Sequence, residues 1–172
     1  HQRDAAIEAY RTIVNHAPAT EDTPSDLLAL GGLLVQSQKF TGAERRYKEL
    51  IQEFARTPEA QEARLAMAAL LLKKAGKNEN YFPLSKEAKD YVQAYIRRAA
   101  VDGEPGARAE EMLHRTNTNI ARYYLSLARF YAGGAHYSPE TAARYCRHTI
   151  EEYGTTVHAS KARDLLNELP VA

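Results

Sequence analysis

The feature that most constrains the fold is a 22-residue stretch that occurs twice in the chain without a gap. Placing Ala43 on Ala142 aligns AERRYKELIQEFARTPEAQEAR with AARYCRHTIEEYGTTVHASKAR, and 8 of the 22 positions are identical. A second shift, of 37 residues, places Tyr10 on Tyr47. Periods of roughly 20 to 50 residues are typical of proteins built from stacked, similar units. The chain is therefore predicted to be a repeat array.

The hydrophobic pattern within these units is that of helices. Apolar residues recur at intervals of three and four, and long alternating runs rich in valine, isoleucine or threonine are absent from the sequence. The sequence therefore predicts an all-α fold. The predicted helices span residues 3–16, 25–38, 41–55, 58–75, 84–101, 106–132, 139–153 and 157–168. The segments between them carry proline and glycine: APATEDTPSD (17–26), AGKNENYFP (75–83), DGEPG (102–106) and AGGAHYSPE (132–140), in which Ser138 is a predicted N-cap before Pro139.

Length and charge narrow the classes of function. With 172 residues and 44% hydrophobic content, the chain can bury a sizeable core as one domain or one short array. Its 23 basic and 22 acidic side chains are balanced in both halves of the sequence, whereas nucleic-acid binding draws on a surplus of basic residues. The longest apolar runs, residues 27–35 and 65–72, are shorter than the roughly 20 residues that a spanning helix needs. We therefore expect neither nucleic-acid binding nor a transmembrane segment.

The single cysteine, Cys146, lies two residues before His148, which raises the question of a nucleophile and base pair. Two positions along a helix rotate a side chain by about 200°, so the two groups would point away from each other. Cys146 also falls on an apolar stripe with helical spacing, and it aligns with Tyr47 in the repeat. The sequence predicts a buried thiol that contributes to packing; a reactive thiol is the alternative.

Other patterns for catalysis or cofactor binding are not found in the sequence. The six histidines include no pair four residues apart and no cysteine cluster with the spacing of a zinc site. The glycine-containing loops do not follow a strand with phosphate-binding spacing. The adjacent glutamates at 110–111 and 151–152 diverge by about 100° on a helix, which is typical of solvated charge. We predict a non-enzymatic protein without a metal or cofactor.

Residues 24–55 resemble the tetratricopeptide family, whose repeat is a pair of helices. The resemblance rests on the spacing of large, small and aromatic positions, which hold Leu27, Leu30, Gly31, Leu34, Phe40, Ala43, Tyr47 and Leu50. In the last repeat, the first-helix positions hold Tyr124, Leu127, Ala128 and Tyr131. Gly31 and Ala43 are expected where the two helices cross most closely. The resemblance implies a right-handed superhelix of helical hairpins.

One array covering residues 1–172 is expected on this basis. Its units are a truncated repeat (3–16), a full repeat (24–55), a repeat with a loop insertion at 76–83 (58–101), a repeat with a long first helix (106–153) and a C-terminal capping helix (157–168).

Four arginines recur every seven residues on the longest predicted helix: Arg108, Arg115, Arg122 and Arg129. Such a spacing keeps them on one stripe, with a drift of about 20° per heptad. By the repeat alignment, Arg122 and Arg129 fall where the family's first helices face the concave groove, and Arg64 and Gln61 are expected on the same side. For Arg108 and Arg115 we favour a solvated face, with ion pairs to glutamates four residues earlier. For Arg122 and Arg129 we favour the groove.

Residues 107–165 resemble one branch of these repeats, the BamD-like outer-membrane assembly lipoproteins of bacteria. The resemblance rests on LARFYAGG (127–134), AARYCRHTIEEYGTT (142–156) and HASKA (158–162), and EFARTPEAQEA (53–63) echoes it earlier in the chain. Related periplasmic repeats associated with the cell-envelope Tol-Pal system share the Tyr-x-x-Thr pattern at the end of the second segment. The resemblance implies a periplasmic, outer-membrane-associated scaffold without catalysis, whose targeting and lipidation segment would lie upstream of His1.

The sequence thus leads to two hypotheses about function. The first is a protein–protein interaction scaffold whose groove binds an extended segment or helix of another protein, through acidic or C-terminal carboxylate groups. The alternative is a regulatory or substrate-recruiting repeat domain of a larger multidomain protein, which would be cytoplasmic.

Overall fold

The computed structural model describes residues 2–16, 20–76, 81–102 and 106–170, and these segments contain helices and no strand. The helices are α1 (Gln2–His16), α2 (Thr23–Gln36), α3 (Phe40–Glu53), α4 (Pro58–Ala75), α5 (Tyr81–Asp102), α6 (Ala107–Tyr131), α7 (Pro139–Glu152) and α8 (Val157–Glu168). A short 3-10 helix over Gly134–His136, which the sequence analysis did not predict, lies between α6 and α7. The all-α prediction is confirmed.

The start of α5 differs from the prediction. The helix begins at Tyr81, so residues 81–83 belong to its first turn and not to the predicted loop insertion at 76–83. Residues 77–80 of that insertion lie outside the described residues. Pro83 is tolerated there because the backbone N–H groups of a first helical turn have no intrahelical partner. Phe82 also gains a stacking contact with Tyr123 of α6, at 3.9 Å between ring centroids.

The helices form two layers. Each helix packs against the next one in the chain, and the even-numbered helices also pack against one another, α2 on α4, α4 on α6 and α6 on α8. The odd-numbered helices are linked by longer side chains instead. Arg46 of α3 donates a hydrogen bond to Asn15 of α1 at 3.0 Å, and Lys48 of α3 lies 4.0 Å from Glu87 of α5.

The sequence repeat has a counterpart in the geometry of the backbone. The turn from α3 to α4 and the turn from α7 to α8 have the same form, with an N-cap threonine at the repeat-equivalent positions Thr57 and Thr156. Each hydroxyl accepts a hydrogen bond from the backbone N–H three residues later, at 3.2 Å and 3.3 Å. Each also donates to the carbonyl three residues earlier, at 3.0 Å and 2.8 Å. The two helical hairpins are therefore built by the same local contacts.

Ser138 does not cap α7 as predicted. It holds the N-cap position before Pro139, but its side chain makes no capping hydrogen bond to the backbone. The hydroxyl donates instead to Oγ1 of Thr141, at 2.8 Å.

The core divides into two apolar clusters. The larger one runs from α1 to the first half of α6, and α4 lies at its centre, with nine of its 18 residues buried. The smaller one, between α6, α7 and α8, consists of Leu125, Ala128, Cys146 and Ala162. In the described segments, every helix is too short or too polar to cross a lipid bilayer.

Candidate functional site

Cys146 is a packing residue, as predicted. It is 0% exposed in the smaller cluster, and burial raises the pKa of its thiol, with Arg147 opposing the shift. His148 instead places its ring edge-on against Tyr124, at 4.4 Å between centroids. No hydrogen bond joins Cys146 and His148, so the pair is not set up as a nucleophile and base. Within the described part of the chain, no three His, Cys, Asp or Glu side chains are grouped so that they could hold a metal ion.

The arginine stripe of α6 divides into parts with different surroundings. Arg108 forms an ion pair with Glu62 of α4, and so joins two helices of the even layer. The glutamate predicted as its partner, Glu104, lies outside the described residues. Arg115 is exposed, and among the described residues it has no ion pair with Glu111.

Arg122 is held against an aromatic ring. Its guanidinium carbon lies 4.0 Å from the centroid of Tyr81, in the first turn of α5. A guanidinium stacked on a ring keeps its N–H groups free for planar acceptors such as carboxylates. Because Arg122 is nevertheless exposed, this contact restricts the side chain without covering it.

The charges of Arg122 and Arg129 act on a histidine across the contact between α6 and α8. His158, in the first turn of α8, is half-buried, and its Nδ1 is enclosed without a hydrogen-bond partner. Burial lowers the pKa of His158, and the positive charges of Lys161, Arg122 and Arg129 lower it further. Four residues therefore form one group, which we call the α6–α8 basic cluster: Arg122, Arg129, His158 and Lys161.

The cations of this cluster are not among those that form ion pairs in the described segments. Ion pairs in the described segments hold Arg11, Lys39, Arg46, Lys48, Lys74 and Arg108, all of which precede Arg115 in the chain. Arg122, Arg129 and Lys161 are exposed and have no acidic partner among the described residues.

The two predicted groove residues on α4 have contacts of their own. Arg64 donates a hydrogen bond to the carbonyl of Ala60, at 3.2 Å, and the nearby cation that lowers its pKa, after burial, is Arg98 of α5. Gln61 donates to the carbonyl of Ala55, at 3.3 Å, and its own Oε1 is enclosed without a partner. Arg122 and Arg129 both act on His158, whereas the partners found for Arg64 and Gln61 lie on α4, on α5 and in the turn before α4.

Three residues of this site were not identified by the sequence analysis: Tyr81, His158 and Lys161. Tyr81 was assigned to a loop, while the other two are polar residues on a short helix without a distinctive spacing. The repeat alignment could have indicated His158 and Lys161, because it places α8 in register with α4 and hence in the even layer. No protein-family model matches this chain, and no curated protein matches it either.

Proposed function

We propose that this protein is a non-catalytic scaffold whose even-helix layer binds an acidic segment of another protein. The observation that carries the proposal is the α6–α8 basic cluster, in which three exposed cations without described acidic partners act on one half-buried histidine at the contact between α6 and α8. A surface of this kind favours carboxylates, because unpaired charge attracts the opposite charge both during encounter and in the complex.

The proposal includes a tetratricopeptide-like arrangement with the even layer on its concave side. Two observations support it. The hairpins around Thr57 and Thr156 share their turn geometry, and the even helices pack directly on one another while the odd ones are joined only by side chains. Layers of unequal spacing curve toward the closer-packed one, as in solenoids that present a concave binding surface.

The chemistry of recognition rests on the two arginines. A guanidinium can donate two parallel N–H bonds to one carboxylate, which a lysine cannot reproduce. The contact with the Tyr81 ring restricts the Arg122 guanidinium before binding, and this reduces the entropy lost on association. Arg129, seven residues later, supplies a second guanidinium for a neighbouring carboxylate.

We place this scaffold at the periplasmic face of a bacterial outer membrane. Support comes from the three sequence segments that resemble BamD-like proteins, at 127–134, 142–156 and 158–162. Fractionation of source cells, followed by immunoblotting, tests this setting. Recovery of the protein with the outer membrane supports it, and recovery in the cytosol contradicts it.

The binding proposal is tested with a rhodamine-labelled peptide of twelve residues rich in Asp and Glu, by fluorescence anisotropy. Replacing Arg122 and Arg129 together by lysine keeps the charge and removes both guanidinium groups, so we expect the affinity for the peptide to fall about tenfold. The matched control is Arg144→Lys with Arg147→Lys on α7. Arg144 also lies over a tyrosine ring, that of Tyr145 at 5.6 Å, but in the other layer.

Two results would contradict the proposal. One is equal affinity of the parent and both double variants for the peptide. The other is equally tight binding of a twelve-nucleotide single-stranded DNA, since a site that reads carboxylates should prefer the peptide over phosphates. Circular dichroism of each variant verifies that the helices are retained.

A further inference from the structure

A cleft lies between α1 and α3, the first two helices of the odd layer, and we call it the α1–α3 cleft. In the described segments the backbones of these helices do not pack on each other, and the bond from Arg46 to Asn15 spans the gap. Leu34 of α2 also lines the cleft, as do Thr41 and Gly42 in the first turn of α3. The volume of about 380 Å³ is within the range of pockets that hold small molecules.

Three arginines of the described segments line this cleft, one from α1 and two from α3: Arg11, Arg45 and Arg46. Arg46 is only 7% exposed. Its guanidinium donates from Nη1 to Glu49, at 2.8 Å, and from Nη2 to Asn15, at 3.0 Å. A guanidinium has more N–H donors than these two bonds use. Arg46 is therefore a buried cation that is held in place and still has donors for a ligand.

The other two arginines are more accessible. Arg11 donates a hydrogen bond to Glu8 at 2.8 Å, and its side chain is 42% exposed. Arg45 is exposed, and it has no ion pair among the described residues. Glu8 and Glu49 thus accompany three cations, so the cleft has an excess of positive charge without a ligand.

We propose that the α1–α3 cleft binds the phosphate group of a small molecule. Its arginines come from two helices, and the tetrahedral oxygens of a phosphate accept hydrogen bonds from several directions, whereas the two oxygens of a carboxylate lie in one plane. The first turn of α3 adds to this preference, because its N–H groups have no partner within the helix and a helix N-terminus favours anions. This site is separate from the α6–α8 basic cluster and does not depend on the function proposed for that cluster.

The experiment is a titration of the ¹⁵N-labelled protein with inorganic phosphate at pH 7.5 and constant ionic strength, followed by two-dimensional NMR. We expect saturable shifts of the backbone amides of Thr41 and Gly42 and of the side-chain Nε–H of Arg45. Glycerol phosphate, a small organic phosphate, should shift the same signals. Acetate at the same concentration should leave them unchanged.

Variants of the exposed arginines test the site without disturbing the buried one. Arg45→Gln should weaken the affinity for phosphate at least about fivefold, because a charge-assisted hydrogen bond is lost, and Arg11→Gln should do the same from the other side of the cleft. Arg56→Gln is the matched control. It removes an exposed arginine that does not line the cleft, in the turn between α3 and α4, and should bind phosphate as the parent does.

A further arm distinguishes a soluble phosphate from a lipid headgroup. The protein is sedimented with vesicles of four parts phosphatidylcholine and one part phosphatidic acid. Sedimentation that is lost in the Arg11→Gln/Arg45→Gln double variant supports the site and assigns the phosphate to a lipid. An unbound protein that still responds to glycerol phosphate supports the site and assigns the phosphate to a soluble molecule.

Three results would overturn the proposal. They are equal affinity of the parent, Arg11→Gln and Arg45→Gln for phosphate, shifts confined to residues outside the cleft, and binding of acetate as tight as that of phosphate. Circular dichroism of each variant verifies that the helices are retained, so that a lost signal reports on the ligand and not on the fold.

Discussion

At the scale of single residues, Gly31 shows how a small side chain determines the packing of a hairpin. The ring of Tyr47, on α3, lies directly against it, so that a Cβ atom at position 31 would be 2.8 Å from Cδ1 of Tyr47. The same ring is 3% exposed, and burial raises the pKa of Tyr47 to about 12, with Glu62 adding to the shift and Arg108 opposing it. Tyr47 therefore packs on α2 while its hydroxyl approaches the ion pair that joins α4 and α6.

We predict that Gly31→Ala destabilises the protein by about 1 to 3 kcal/mol, because the buried Tyr47 ring must move to accept the methyl group. Gly31→Leu should destabilise the protein more than Gly31→Ala does, because the side chain is larger. Gly32→Ala is the matched control: a Cβ there meets nothing within 4 Å, and alanine is the better helix former by up to about 1 kcal/mol. Thermal or urea unfolding monitored by circular dichroism measures both. Equal effects at positions 31 and 32 would show that the contact with Tyr47 does not restrict the site.

At the scale of elements, the two repeat-equivalent turns are held by threonine hydroxyls that serve two backbone groups at once. Thr57 and Thr156 each connect the end of one helix to the first turn of the next, through a carbonyl before them and an N–H after them. The N–H groups of a first turn have no partner inside their own helix, so this capping both starts the helix and sets the hairpin.

Replacing either threonine by alanine should lower the free energy of unfolding by about 1 kcal/mol, the typical value for loss of an N-cap. Thr57→Ser and Thr156→Ser retain the hydroxyl and should recover most of the loss. Thr155→Ala, at the exposed neighbouring position in the second turn, is expected to change stability by less than about 0.5 kcal/mol. A Thr156→Ala protein as stable as Thr155→Ala would argue against capping as the element that both hairpins share.

At the scale of the whole molecule, stability is distributed unevenly along the array. Half of α4 is buried, whereas Ile7 is the only buried residue of α1. Polar contacts support the first helix, with Asn15 bonded to Arg46 and Asp4 close to Lys39. At the other end, Tyr124 joins α6 to α7 through ring contacts with Tyr145 and His148.

In native-state hydrogen exchange measured by mass spectrometry, we expect the slowest amides in α4 and the fastest helical amides in α1. Local opening of a helix costs less when it exposes less apolar surface. Arg46→Ala should further accelerate exchange in α1, because it removes the bond to Asn15, while Arg45→Ala, an exposed neighbour, should not. Protection of α1 equal to that of α4 would contradict this gradient.

Much of the fold could be predicted from the sequence because its determinants are local. Helical spacing and turn residues placed all eight helices, with the bounds of α4 and α8 as predicted and those of the other helices except α5 within two residues. The start of α5 was missed by three residues because Pro83 indicates a turn locally, whereas stacking of Phe82 on Tyr123 extends the helix. The candidate site was predicted only in part: a heptad spacing identifies Arg122 and Arg129, but not Tyr81 and His158 on the helices that pack against α6.

The helices, the repeated hairpin turns and the buried thiol could be predicted without a structure, since each depends on side chains within a few positions of one another. Which charges are paired and which are not depends on the packing of the helices. It joined Arg108 to Glu62 on another helix, placed Arg122 on Tyr81, and brought Arg129 within range of His158. These contacts link residues 29 or more positions apart in the chain, and they form only because α6 packs against α4, α5 and α8, an arrangement that spacing along one helix does not encode.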